Sequence, residues 1–365
     1  MRIIAFSDIH FCHSWDFLTV DDIASVHARI RAYVAECKPQ LVLFLGDRFR
    51  ARQPKDHVKA VADRELRLLA DTLKTSGGDL VVIVGNHDKW SESVGTGNTY
   101  SVVDVFHDVL QNVHIIDKPY SLHLTSGIAI HALPAGFGFR QEAYTLSPGF
   151  NVFAFHGLIH GATYDQTGGV QVKTGVDMSD IDNPAWDFVL GGDVHVPQIL
   201  PLNNTVGGYV GSALRFTEDD ADDERGFLDI RLTKGQRPRY ALIDGGGPRL
   251  ARLAIGPDRN TWPDPGIYED VILIVTIAGS AAELRTVANN VIHDHFQTCR
   301  YVKIHRKPSF EAPRIVAGIG TDSTPLDDVV AYIRATDRDG LDADRLTAKA
   351  IRALGATPQR KGLFA

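Results

Sequence analysis

Asp8 with His10, Asp47, Asn86 with His87 and Asp88, His156, and Asp193 with His195 all follow closely on short apolar runs. The runs are "RIIAF" before "SDIH", "LVLFL" before "GD", "DLVVIV" before "GNHD", "NVFAF" before His156, and "DFVL" before "GGDVH". One Asp or Asn after a strand is ordinary turn chemistry, and a lone His more often packs than binds. Five such tips are different. Carboxylates, imidazoles and an amide gathered at one edge would lose hydration and repel one another unless something compensated them. Divalent cations would do so. The donors are oxygen and nitrogen without thiolate, which suits Mn2+, Fe2+ or Zn2+ better than a structural zinc site. Two ions about 3.5–4 Å apart need a bridging carboxylate, clamp the attacking and leaving oxygens of a phosphoryl centre, and acidify bound water. Asp47 is the bridging candidate.

For these tips to converge, the apolar runs must be neighbouring strands. Residues 2–6, 41–45 and 79–84 read as buried strands. Between the first two, residues 21–37 place Ile23, Val26, Ile30 and Val34 on one helical face, and Pro39 ends the helix. Between the next two, a helix begins at Pro54 with Val58, Val61, Leu68, Leu69 and Leu73 inward, closed by Gly77 and Gly78. This alternation makes an α/β sheet, parallel in this part, with ligands collecting at the carboxyl ends of its strands. Further strands near 128–132, 151–155, 187–190, 207–212 and 226–232 have shorter connections, which points to mixed, layered sheets. A Gly- and Pro-rich stretch at 244–266 reads as a domain junction. Beyond it, a strand (271–277), a helix capped by Ser280 and running to about Gln297, and a strand (300–306) form a compact unit. Two amphipathic helices follow near 325–335 and 342–354.

The ordered set "DIH", "GD", "GNHD", a lone His after a strand and "GDVH" resembles the calcineurin-like metallophosphoesterases. The resemblance implies an α/β fold, a two-sheet sandwich flanked by helices, binding two divalent metals. Carried over by position, Asp8, His10, Asp47 and His195 would hold one metal, and Asp47, Asn86, His156 and Asp193 the second. His87 would protonate the leaving oxygen, with Asp88 orienting it. The family usually has His where this chain has Asp193. The carboxylate adds negative charge and should make the bound water less acidic.

"VHVPQIL" and "GGYVGSALRFTEDDADDERGFLDI" look like the segment after the metal site in SbcD-type DNA repair nucleases. That likeness implies a nuclease domain over 1–245, a small α/β capping domain over 246–310, and a short helical C-terminal tail over 311–365 that binds an SMC-like ATPase. It also implies DNA ends as substrate, exonuclease activity with endonuclease activity left open, a homodimer, and Mn2+ ahead of Fe2+, Zn2+ or Mg2+. The loop "GDRFRARQPK" carries Arg48, Arg50, Arg52 and Lys55. Alone it reads as a solvated loop; beside a phosphodiester site it is a local basic patch for nucleic acid.

Bulk properties set limits. The 365 residues are 44% hydrophobic and 23% charged, which is globular and not disordered composition. A net charge of -7 counts against nucleic-acid binding by bulk electrostatics while leaving room for a local patch. The N-terminal apolar run is too short for a signal peptide or membrane span, and Cys12, Cys37 and Cys299 have no metal-binding spacing, so the expected location is the cytoplasm. Cys12 and His13 match no ligand position, and "HDH" at 293–295 reads as structural. Trp90 and Tyr100 either stack on a base or pack. The "GTG" at 95–97 lacks the strand-to-helix setting of a nucleotide loop. Two alternatives stay open: a small-molecule phosphoesterase for cyclic nucleotides or phosphomonoesters, and a non-catalytic scaffold, which only Asp193 supports. The cap-like unit, tail helices and basic loop favour DNA.

Overall fold

The computed structural model describes residues 1–89, 110–163 and 175–308. The expectations for Trp90, Tyr100, the Gly-Thr-Gly at 95–97, the tail 311–365 and its two helices lie outside the described residues.

In chain order, β1 (Arg2–Phe6), the short hairpin β2 (Ser14–Trp15) and β3 (Leu18–Thr19), and α1 (Val20–Cys37) lead to β4 (Leu41–Phe44), α2 (Asp56–Lys74) and β5 (Asp79–Ile83). Then come β6 (Val113–Ile116), β7 (Tyr120–His123), β8 (Ile128–Leu133), β9 (Phe150–His156), the one-turn α3 (Met178–Ile181) and β10 (Phe188–Gly192). The short β11 (Gln198–Ile199) and β12 (Gly207–Tyr209) precede β13 (Gly226–Arg231), β14 (Arg239–Asp244) and β15 (Leu250–Ile255). Last are β16 (Ile272–Gly279), α4 (Ala281–Thr286), α5 (Asn289–His295) and β17 (Tyr301–Pro308).

Among the described residues two six-stranded sheets form, in the orders β14-β13-β1-β4-β5-β6 and β11-β12-β10-β9-β8-β7, with a third sheet β15-β16-β17. In the first, β1, β4, β5 and β6 run parallel and β13 and β14 antiparallel. In the second, β8, β9, β10 and β12 are parallel, flanked by antiparallel β7 and β11. These are the α/β layers of the expected two-sheet sandwich.

Alternation along the strands shows why the sheets stack. Ile4, Phe6, Val42, Phe44, Leu80 and Val82 pack with residues of α1 and α2, such as Ile23, Ile30, Leu66 and Leu69. Their neighbours Ile3, Ala5, Leu41, Leu43, Val81 and Ile83 meet Ile128, Ile130, Val152, Ala154, Phe188 and Leu190 of the second sheet. Strands covered on both faces must be apolar at every position, hence the continuous runs. A capping box between Thr19 and Asp22 starts α1, and Lys38 in the left-handed region stops it before Pro39.

Two expectations are corrected. Leu68 lies on the solvent side of α2, 39% exposed, because the buried stripe runs Val58, Ala62, Leu66, Leu69 and Leu73. The helix from Ser280 is broken at Val287 and Ala288 into α4 and α5. Thr286, Val287 and the two Asn that follow are poor helix formers, and Arg306 donates to the Leu284 and Val287 carbonyls that a continuous helix would bond internally.

By packing, the chain divides into two compact units. Among the described residues, one comprises Met1–Ala254, Pro263–Thr276 and Asn289–His305, and the other comprises Ile255–Trp262, Ile277–Ala288 and 306–308. His295 Nε2 lies 3.0 Å from the Pro263 carbonyl.

Candidate metal centre

The tips leave their strands through strained backbone. Asp8, His10, Asp47 and Asp193 have φ of 51°, 49°, 55° and 91°. Such conformations cost of order 1–3 kcal/mol each and gather at functional sites. Main-chain bonds lash two tips together: the N–H groups of Asp8, His10 and Phe11 donate to the carbonyls of Gly46, Asp47 and Arg48 at 3.1, 3.0 and 2.7 Å. Gly85 is required for closeness, since a Cβ there would sit 2.2 Å from Asp47 Oδ1.

Three imidazoles turn the same way. The Nδ1 atoms of His156, His10 and His87 lie 2.6, 3.4 and 2.6 Å from the carbonyls of Leu45, Phe49 and Arg50. A carbonyl only accepts, so Nδ1 carries the proton and Nε2 faces inward. His156 Nε2 is 3.3 Å from Asp47 Oδ1 and 3.9 Å from Asp193 Oδ1. His10 Nε2 is 3.7 Å from Asp47 Oδ2 and 3.8 Å from Asp8 Oδ1. Asp47 therefore shows one oxygen to each histidine, as a bridge must. His195 Nε2 lies 4.0 Å from Asp8 Oδ1 and 3.1 Å from His10 Nε2.

Among the described residues, Asp8, His10 and His195 form one group with ligand atoms close enough to hold an ion, and Asp8, Asp47 and His156 form another. Asp8 thus belongs to both, where the positional reading gave it only to the first metal. Asp193 borders the second group, its N–H donating to Asp8 Oδ2 at 3.1 Å.

The charges are unbalanced. Burial pushes His10 down to about 3 and His195 down to about 4, leaving neutral imidazoles suited to ligation. Burial also raises Asp8 to about 7, with His156 pulling it back and Asp47 pushing it up. Burial opposes both charges of the His156–Asp47 pair, yet their attraction raises His156 well above its usual value and holds Asp47 below the usual carboxylate range. Asp193 is raised, chiefly by burial. Three carboxylates crowd one imidazolium.

The donors fit divalent ions. Asp8 Oδ1 is buried with no hydrogen-bond partner. With its amide nitrogen facing inward, Asn86 donates to the two Asp47 oxygens at 3.1 and 3.2 Å; the opposite orientation presents its oxygen at the same position, 2.9 Å from His156 Nε2. An orphaned carboxylate oxygen and two facing Nε2 atoms are what a cation resolves. The geometry thus gathers Asp8, His10, Asp47, Asn86, His156, Asp193 and His195, with His87 Nε2 beside them at 4.0 Å from Asp47 Oδ2.

Two sequence expectations are corrected here. Asp88 is fully buried, and its carboxylate accepts from the N–H groups of Gly85, Arg48 and Phe49 at 3.1, 2.9 and 3.3 Å. It ties the "GD" tip to the "GNHD" tip, while the Arg50 carbonyl orients His87. Arg48 is 1% exposed, and its guanidinium pairs with Asp63 at 2.7 Å, so it cannot reach a phosphate. Arg50 and Lys55 are exposed and Arg52 half-buried.

Arg225 escaped the sequence reading. Buried beside Asp220 and Asp223, it donates to the His195 carbonyl, which also accepts from Ser212 N–H at 2.9 Å. The mixed run "DDERG" was its only signal. Phe216 packs against His10 and His195 and stacks on Trp15 at 4.4 Å, and the Arg50 guanidinium lies 3.8 Å from the Trp15 ring centre. His13 Nδ1 faces His57 Nε2 at 3.0 Å.

Residues 1–197, which carry every ligand position from Asp8 to His195, match the family described as calcineurin-like phosphoesterase. The chain belongs to this family. The phosphoesterase is accordingly a metal-dependent hydrolase, and its family implies two divalent metals, for which the groups above supply ligands. Solved structures with similarity include a dimetal phosphatase from Danio rerio, at 10% identity over 66% of this chain and 98% of that one, TM-score 0.42. Others are a putative 5'-nucleotidase from Staphylococcus aureus (11%, 66% and 52%, TM-score 0.36) and the nuclease MPE of Pseudomonas putida (16%, 66% and 84%, TM-score 0.28). A search of curated protein sequences finds no match. No described helix is long and apolar enough to cross a membrane.

Proposed function

We propose that the phosphoesterase is a Mn2+-dependent phosphodiesterase acting on DNA ends, the exonuclease subunit of an SbcCD-like repair complex that pairs with an SMC-like ATPase. The observation that carries phosphodiester hydrolysis is the seven-donor cluster around Asp47 with His87 turned toward it. When bound, two divalent ions supply positive charge to the phosphoryl oxygens and acidify water. The chain's own groups do the rest. Asp47 and Asp8 fix the spacing of the two ligand groups. Asn86 places a polar amide where charge develops. An imidazolium at His87, donating Nδ1–H to the Arg50 carbonyl, presents its second proton at Nε2 to the leaving oxygen.

Exposed Arg50 and Lys55 support a polyanionic substrate: both lie on the loop whose carbonyl holds His87. The homodimer, which the resemblance implies, and a cytoplasmic location belong to the same reading. The test is degradation of an end-labelled duplex with Mn2+ by the native chain and by His87→Ala. The variant should keep its metal and lose about 10²–10⁴-fold in rate. Hydrolysis of a small diester alone, even with the ATPase partner added, would favour the small-molecule reading. Inactivity toward both with two ions bound would favour the scaffold.

A further inference from the structure

The side of the centre formed by His156 borders an open cavity of about 370 Å3, lined among the described residues by the turns after β8 and β9 and the stretch entering α3. That volume is within the range of small-ligand sites. Phe139 and Phe155 give it aromatic walls, and Phe137, 37% exposed, is its most open ring. Asp177 and Asp180 add two exposed carboxylates. Its described lining contains neither Lys nor Arg.

This chemistry suits a flat ring bearing hydrogen-bond donors. Aromatic rings stack on bases of any sequence, and carboxylates accept from amino N–H groups. His156 both lines the cavity and faces Asp47 at 3.3 Å, so a ring seated there is within tether length of a phosphate at the centre. Lys89, directly after the "GNHD" tip, lies 4.8 Å from the Phe137 ring centre and donates to the Ala135 carbonyl. That contact fixes the ring beside the tip that carries His87.

We infer that this cavity receives the base of the nucleotide next to the scissile phosphate, with preference for bases carrying an exocyclic amino group. The inference rests on the phosphodiesterase reading, and two readouts keep them separable. The first is hydrolysis by the Mn2+-loaded full chain of p-nitrophenyl esters of deoxyadenosine and thymidine 5'-phosphates, beside methyl p-nitrophenyl phosphate, which has no base. The deoxyadenosine ester should have the highest kcat/KM. Phe137→Ala should lower the advantage of both nucleotide esters over the methyl ester by about tenfold or more, and Phe137→Tyr should restore it. The double variant Asp177→Asn, Asp180→Asn should narrow the gap between deoxyadenosine and thymidine. An advantage that survives Phe137→Ala, or no advantage in the native chain, overturns the inference. The second readout is binding of a short single strand containing 2-aminopurine, whose fluorescence is quenched on stacking. If the native chain hydrolyses none of the esters, the diesterase reading fails, yet quenching lost in Phe137→Ala would still uphold the cavity as a base site. Quenching unchanged in that variant would overturn it.

Discussion

Gly85→Ala probes the packing that sets the metal centre, because the added methyl meets backbone it cannot push aside. The new Cβ would lie 2.2 Å from Asp47 Oδ1, 2.3 Å from its nitrogen and 3.0 Å from its Cα. Ordinary contact begins near 3.4 Å, so Asp47 must retreat by about 1.2 Å. A misplacement of about 1 Å can cost roughly 10²-fold in rate, and displaced positioning of ligands costs about 10–100-fold in metal affinity. Overpacking should also remove about 1–3 kcal/mol of stability. The assays are Mn2+ titration by calorimetry, hydrolysis of methyl p-nitrophenyl phosphate, and urea denaturation. Gly256→Ala, which has nothing within 4 Å, is the control and should be near neutral. Native metal affinity and native rate in Gly85→Ala would refute the claim that Asp47 is held by close backbone packing.

Arg48→Ala should destabilise by about 1–3 kcal/mol, since it removes a buried side chain and its contact with half-buried Asp63, without altering the salt dependence of DNA binding. Arg50→Ala and Lys55→Ala should each lower that salt slope by about 1 and leave stability nearly intact; the reverse pattern would restore Arg48 as a phosphate contact. His27 is buried against Phe6 and Phe11, and burial, with Arg48 and Arg31 nearby, pushes its pKa down to about 3. The unfolded chain therefore takes up this proton first, so the contribution is complete above about pH 6.5 and is lost as pH falls toward 3. Urea denaturation should show an acid loss of about 2 kcal/mol between pH 7.5 and 5 in the native chain that His27→Leu lacks, and equal losses would count against it. Asp193→His replaces a carboxylate by a neutral donor, so the acidic limb of the pH–rate profile should move to lower pH; a shift upward would show that the Asp193 charge does not govern it.

Strands buried on both faces were legible because they are near-continuous apolar runs, as in β1, β4, β5, β9 and β10. The same logic hid the edges. β7 and β14 are largely exposed or half-buried along their length, so no continuous apolar run or full alternation marks them. The ligands were legible because each ends a buried strand, where a polar side chain needs a reason. Asp88 and Arg48 shared that setting and misled: two charged residues beside the ligands are consumed in holding loops together, which only burial and partners reveal. Likewise, the membership of Asp8 in both ligand groups depends on where two sheets meet, and motif order carries no such distance.

The most direct test is electron paramagnetic resonance of the Mn2+-loaded chain together with metal analysis. A centre bridged at Asp47 should hold about two ions per chain with an exchange-coupled spectrum, and Asp47→Ala should abolish the coupling. Saturation at one ion, or two ions with the spectrum of isolated Mn2+, would contradict a shared centre built around Asp47.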